Sequence, residues 1–158
     1  MMSWQLETEI DAPPADVQRA IADEHSLMAW SAWPAATGLR CRVETGDGTS
    51  LGSEIVFRDA GGTEKGRQRL TLATPARVEY RLFNKGPLGR PMNPELDFII
   101  ASESPQRTRV RLDFRAEAPL PPGPRHLVER LLGSRVRRLH VEDLRRLKAH
   151  VEGADRTR

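Results

Sequence analysis

Residues 119–151 read PLPPGPRHLVERLLGSRVRRLHVEDLRRLKAHV, a proline-rich break from Pro119 to Pro124 followed by a long amphipathic pattern from Arg125 to Val151. Placed at 100° per residue, Leu132, Val136, Leu139, Leu144, Leu147 and Val151 fall on one broad stripe, with Arg137, Arg138, Glu142, Arg145 and Lys148 on the other sides. A helix of this length spans about 40 Å at 1.5 Å per residue. It has to lie across something large and apolar. His140 and Asp143 project within the stripe, where a purely structural helix would more simply carry leucine, and their i, i+3 spacing lets the two side chains meet.

The preceding residues supply the apolar surface. From Leu39 to Ala118 the chain alternates and breaks as strands do, with turn signals at Gly46-Asp47-Gly48, Ala60-Gly61-Gly62, Thr74-Pro75, Asn84-Lys85-Gly86-Pro87 and Ser104-Pro105. Six strands are expected there. Val78, Tyr80 and Leu82 share one face, as do Leu96, Phe98 and Ile100, and Val110, Leu112, Phe114 and Ala116; Arg109, Arg111, Asp113 and Arg115 take the opposite face of the last strand. Which face lines an interior space is left open by periodicity alone. A further strand opens the chain, where Trp4, Leu6, Thr8 and Ile10 alternate with Gln5, Glu7 and Glu9.

Ala12-Pro13-Pro14-Ala15-Asp16 stops that strand and starts a helix, because proline suits a first helical turn and an acid suits the positive end of the dipole. Val17, Ala20 and Ile21 form its apolar stripe. A second short helix is expected over Ser26 to Trp30, capped by Ser26 or Asp23 and ended by Trp33-Pro34 and Gly38. The order is thus strand, two short helices, six strands and a long helix. An antiparallel sheet covered on its concave face by the last helix satisfies that order in one domain, residues 1–152, with a polar tail at 153–158.

Composition narrows the function classes. Cys41 is the single cysteine, which rules out an internal disulfide and a multi-cysteine zinc site and fits a reducing cytoplasm. No apolar run is long enough to span a bilayer, and Met1 to Asp11 lack the pattern of a signal peptide, so a soluble cytoplasmic protein without membrane insertion is expected. The net charge of +3 is mild and arginine far outnumbers lysine. Arg130, Arg135, Arg137, Arg138, Arg145, Arg146 and Lys148 are spread around the last helix and interrupted by Glu129, Glu142 and Glu152, with no aromatic platform for bases. A solvated helix face with i, i+4 pairs is the simpler reading, and no nucleic acid partner is expected.

The element order, together with Ile10-Asp11-Ala12-Pro13-Pro14-Ala15-Asp16-Val17, the later Trp30 and the glycines Gly46 and Gly48, resembles the START-related helix-grip superfamily (SRPBCC), near its polyketide cyclase/dehydrase-like branch. The resemblance covers nearly the whole chain. It implies an α+β helix-grip fold, a seven-stranded antiparallel sheet curled around the C-terminal helix and enclosing a cavity for a small hydrophobic or amphipathic molecule. Members include carriers, sensors, co-chaperone-like proteins and enzymes that cyclise or dehydrate polyketides, and a bacterial origin is expected for this chain. No cofactor is implied, and the chain is expected as a monomer or homodimer. The branch has no universal catalytic signature to carry onto numbered positions.

In such a fold His140 and Asp143 would look into the cavity. The carboxylate could fix the imidazole tautomer and raise its basicity for acid/base work. The pair could equally anchor a greasy ligand, or simply bond each other or a backbone carbonyl at the helix edge. Val136 lies on the same stripe. Met28, Trp30 and Trp33 are candidates for an aromatic wall at the cavity entrance, or for a core wedge. Tyr80 could point its hydroxyl inward or be satisfied in the core. Asp23, Glu24 and His25 read as capping or solvated groups. Glu95 and Asp97 share a strand face opposite the apolar one and are expected in solvent, or paired with arginines such as Arg109 or Arg111.

Other chemistry finds little support. His25, His126, His140 and His150 have no metal-ligand spacing, Cys41 has no neighbour to activate it, and no phosphate loop is present. No metal is expected. The loop from Asn84 to Pro94, rich in glycine and proline, is long enough to border a binding site. Binding of a small hydrophobic ligand is the leading expectation, with a cyclase/dehydrase using His140 and Asp143, or a protein-interaction module, as alternatives.

Overall fold

The alternation at Trp4, Leu6, Thr8 and Ile10 forms strand β1 (Met2–Ile10), and its partner is the last strand, β8 (Arg107–Ala116). The computed structural model, which describes residues 1–156, sets Trp4 opposite Phe114 and Leu6 opposite Leu112 on one face. On the other face Glu7 stands opposite Arg111 and Glu9 opposite Arg109. Slipping the register by one residue would turn both faces over, so the pattern fixes the pairing.

Three helices carry the chain from β1 to the far edge of the sheet: α1 (Pro14–Ala22), α2 (Glu24–Trp30) and α3 (Trp33–Thr37). The strands β2 (Arg40–Thr45), β3 (Glu54–Arg58), β4 (Glu64–Thr74), β5 (Arg77–Lys85), β6 (Pro91–Met92) and β7 (Glu95–Ser104) then return toward β8. All pairs are antiparallel, in the order β1-β8-β7-β5-β4-β3-β2, with β6 on β5.

Two elements go beyond the sequence reading. An eighth strand arises because the Asn84–Pro94 loop folds back on the end of β5, pairing Met92 with Asn84 and Pro91 with Lys85. Inside this loop a single 3₁₀ turn places Leu88 in the left-handed region, at φ 58°. A third helix forms where Trp33-Pro34 was expected to end the second. Proline fits a first helical turn, and the helix stops only at Gly38, whose φ of 70° suits a residue without Cβ and whose N–H bonds the Pro34 carbonyl. The second helix starts at Glu24, ahead of Ser26, because the Asp23 carboxylate accepts from the His25 N–H.

The long helix α4 (Pro122–Arg156) begins with prolines in its first turn, where their missing N–H groups cost nothing, and continues through Gly153. Thr157 and Arg158, the end of the expected tail, lie outside the described residues. Gly133 sets α4 against Met2 and Trp4 of β1. The buried Glu129 carboxylate holds the terminal ammonium of Met1 at 2.9 Å and the Ala118 N–H at 3.1 Å, tying the start of β1 and the segment after its neighbour β8 to the helix. This is the helix-grip architecture. No helix among the described residues is long and apolar enough to cross a membrane.

Candidate functional site

The apolar stripe of α4 divides into two halves. Leu144, Leu147 and Val151 join the core with Val17 and Ile21 of α1, whereas Leu132, Val136 and His140 line a cavity of about 420 Å³. The cavity lies between α4, the inner face of the sheet and the α2–α3 segment, with Trp30, Trp33 and Met28 on the segment side and Phe98 and Phe114 on the sheet side. Its exposed lining residues are Lys65 and Lys85, which mark the mouth at the ends of β4 and β5.

His140 is held by aromatic neighbours. The Trp4 indole N–H donates to its Nδ1 at 3.1 Å, so the neutral ring carries its proton on Nε2. Phe114 and Trp33 flank it at centroid distances of 4.8 and 5.9 Å. Burial pushes its pKa down to about 3. The ring is therefore uncharged at neutral pH and a poor proton acceptor.

Asp143 is engaged elsewhere. Its Oδ1 accepts from the Ala32 N–H at 2.7 Å and from the Ser31 hydroxyl at 3.4 Å, and its Oδ2 from the Trp33 indole at 3.1 Å. Burial raises its pKa to about 6, with these hydrogen bonds opposing the rise. The expected His140–Asp143 couple is thus not formed. Helical spacing brings the two residues to one surface, but a partner on β1 takes one and the α2–α3 junction takes the other.

The remaining candidates separate in the same way. Trp30 lines the cavity, bonds the Ala20 carbonyl at 2.9 Å and meets Phe98 edge-on, so it is core wedge and cavity wall at once. Met28, Trp33 and Val136 also line it. Tyr80 does not. Its hydroxyl donates to the Ile21 carbonyl at 2.7 Å in the sealed core beneath α1.

Glu24, read as capping or solvated, is fully buried, with neither carboxyl oxygen hydrogen-bonded. Asp97 and Glu95 pair with Arg77 and Arg81 of β5, and not with Arg109 or Arg111, because the β7–β8 register sets those two arginines opposite Ala101 and Ile99. On α4, Glu142 ties Arg145 and Arg146 at i+3 and i+4, as a solvated face would.

Trp4, Gln68 and Asn84 were missed as site residues. Trp4 was legible only as one apolar member of a strand, and its indole N–H is what fixes the His140 tautomer. Gln68 and Asn84 line the cavity from β4 and β5. Gly66, opposite Asn84, leaves the room that the Asn84 amide fills, since a Cβ there would lie 2.2 Å from its Oδ1. Cys41 also lines the cavity, with its thiol pushed up to about 11 by burial. Among the described residues no three His, Cys, Asp or Glu side chains gather as a metal site.

The sequence from residue 1 to 152 matches the family described as polyketide cyclase/dehydrase and lipid transport. The chain belongs to this family. Among solved structures, protein CV1439 from Chromobacterium violaceum shares 22% identity and a TM-score of 0.63, covering 96% of this chain and 97% of its own. A protein from Arthrobacter aurescens is 15% identical with a TM-score of 0.67, over 96% and 87%. PFC0360w, an HSP90 activator from Plasmodium falciparum, is 15% identical with a TM-score of 0.50, over 73% of each chain. At these identities the likeness is one of fold. No curated protein matches the sequence. The description of the polyketide cyclase/dehydrase and lipid transport family spans both chemistry and carriage.

Proposed function

We propose that the protein binds a small, largely apolar molecule in the cavity beneath α4 and acts as a carrier or sensor. The carrying observation is the cavity itself: about 420 Å³ inside a domain of this size, walled by Trp30, Trp33, Phe98 and Phe114, is within the range of small-molecule sites. The polar groups at its wall support binding over proton transfer. His140 has given its Nδ1 to Trp4, stays neutral, and lacks a carboxylate to orient it. That leaves its Nε2–H to offer a hydrogen bond.

Filling the cavity tests this. Val136→Trp should lower the affinity for the apolar fluorophore 1-anilinonaphthalene-8-sulfonate at least about tenfold, as expected when an enclosed apolar site is lost, while the thermal melt stays cooperative. Equal affinity in both proteins would place the fluorophore outside the cavity and remove the proposal. Native mass spectrometry of protein from its own host should then show a co-purified molecule that Val136→Trp lacks.

A further inference from the structure

Gln68 is only 6% exposed, lines the cavity, and its Nε2 has no hydrogen-bond partner. Its cross-strand neighbours are Ile55 on β3 and Leu82 on β5, both apolar members of the same wall. A leucine here would continue that wall. An unpaired buried amide costs about 1–3 kcal/mol, so its presence in this position calls for a partner that the fold does not supply. The terminal torsion of glutamine is soft, so the amide can turn its N–H toward the cavity.

The charge of the surroundings says what the partner is. Among the described residues the cationic side chains lining the cavity, Lys65 and Lys85, are exposed at its mouth, and the inner polar groups, among them Asn84, the neutral His140 and the hydrogen-bonded Asp143, carry no positive charge. An anion beside Gln68 would have no counter-charge. An uncharged acceptor needs none.

We propose that Gln68 is the interior polar subsite of this cavity, its amide donating to an uncharged oxygen (a ketone, ester or hydroxyl) of an otherwise apolar ligand. This rests on the cavity-binding reading and adds to it the chemistry of the ligand's inner end. Asn84, the next inward residue toward the mouth, extends the same polar edge along β5.

Fluorene and 9-fluorenone test the subsite, because they share one flat three-ring frame and differ by a single carbonyl. Titrated against the intact protein and followed by tryptophan fluorescence, fluorenone should bind about tenfold more tightly, the worth of one hydrogen bond in a buried site. Gln68→Leu and Gln68→Met should each erase that preference while holding fluorene at least as well as before. The two variants guard against a folding defect in either one, and a thermal melt reports it. Both compounds binding without a carbonyl preference, or a preference that survives both variants, overturns the Gln68 proposal and leaves the cavity intact as a binding site. Failure of both compounds to bind overturns the cavity reading and the subsite together.

Discussion

Asp143→Ala is expected to destabilise the protein by about 3 kcal/mol, because it leaves the buried Ala32 N–H without an acceptor, at about 1–3 kcal/mol, and the half-buried Trp33 indole N–H without one at a smaller cost. In a domain of this size that corresponds to a fall in melting temperature of about 6–12 °C. The loss is structural in origin. From α4, Asp143 holds the turn between α2 and α3, the segment that brings Trp33 and Pro34 to the cavity wall. Asp143→Asn keeps an acceptor for Ala32 and sheds a charge that burial disfavours, so its loss should be about half as large. A change under about 0.5 kcal/mol for the alanine variant, read by chemical denaturation, would show that the junction does not depend on Asp143.

The same residue shows what the sequence could and could not reveal. Its placement inside an apolar stripe was readable, because helical periodicity is local and survives any tertiary arrangement. Its partners were not. Ala32 N–H and Trp33 Nε1 lie more than a hundred positions away, and only the docking of α3 on α4 brings them within reach. His140 repeats the lesson: i, i+3 spacing pointed to Asp143, while the fold supplied Trp4 across 136 positions. Strand pairing was more legible, since alternation at Trp4, Leu6, Thr8 and Ile10 and again at Val110, Leu112 and Phe114 specifies inner faces that must meet. Gln68 left no trace, because a lone glutamine among Arg67, Arg69 and Leu70 reads as a solvated strand residue until the cavity on its side is seen.

Glu24 was read wrongly for a related reason, and it gives the second large effect. It stands between Asp23, which caps α2, and the exposed His25, so the local sequence suggests solvent. Yet its backbone N–H bonds the Gly48 carbonyl, and its side chain, beside Glu54 and Ile55 of β3, is 0% exposed. Burial, reinforced by Glu54, Asp23 and Asp47, raises its pKa from 4.5 to about 8, and the backbone N–H of Ile55 offsets part of that without a well-formed hydrogen bond.

The sign follows from where the proton goes. Between pH 4.5 and 8 the unfolded chain releases the Glu24 proton while the folded chain keeps it, so this group's contribution is full below about 4.5 and is lost as pH rises toward 8. His140 acts in the opposite sense. Its pKa falls from 6.5 to about 3, so its contribution grows with pH across that interval, while the rise at Asp143, from 3.8 to about 6, erodes stability over a lower range than Glu24. At pH 6.5 the unfolded His140 is still titrating and the folded Asp143 has not quite finished, two residual contributions of opposite sign that fade by about pH 7.5 and leave Glu24 dominant among the three. Wild-type protein should therefore lose stability from pH 6.5 to 8 with a slope of up to about 1.4 kcal/mol per unit. Glu24→Gln, nearly the same shape without the ionisation, should flatten that slope and be more stable than wild type at pH 8 by an amount on the order of a few kcal/mol. Urea denaturation at pH 6.5, 7.25 and 8 of the two proteins measures it directly. Parallel pH profiles would mean that the Glu24 carboxylate is paired or solvated in the folded chain, and that α2 does not bury its first residue.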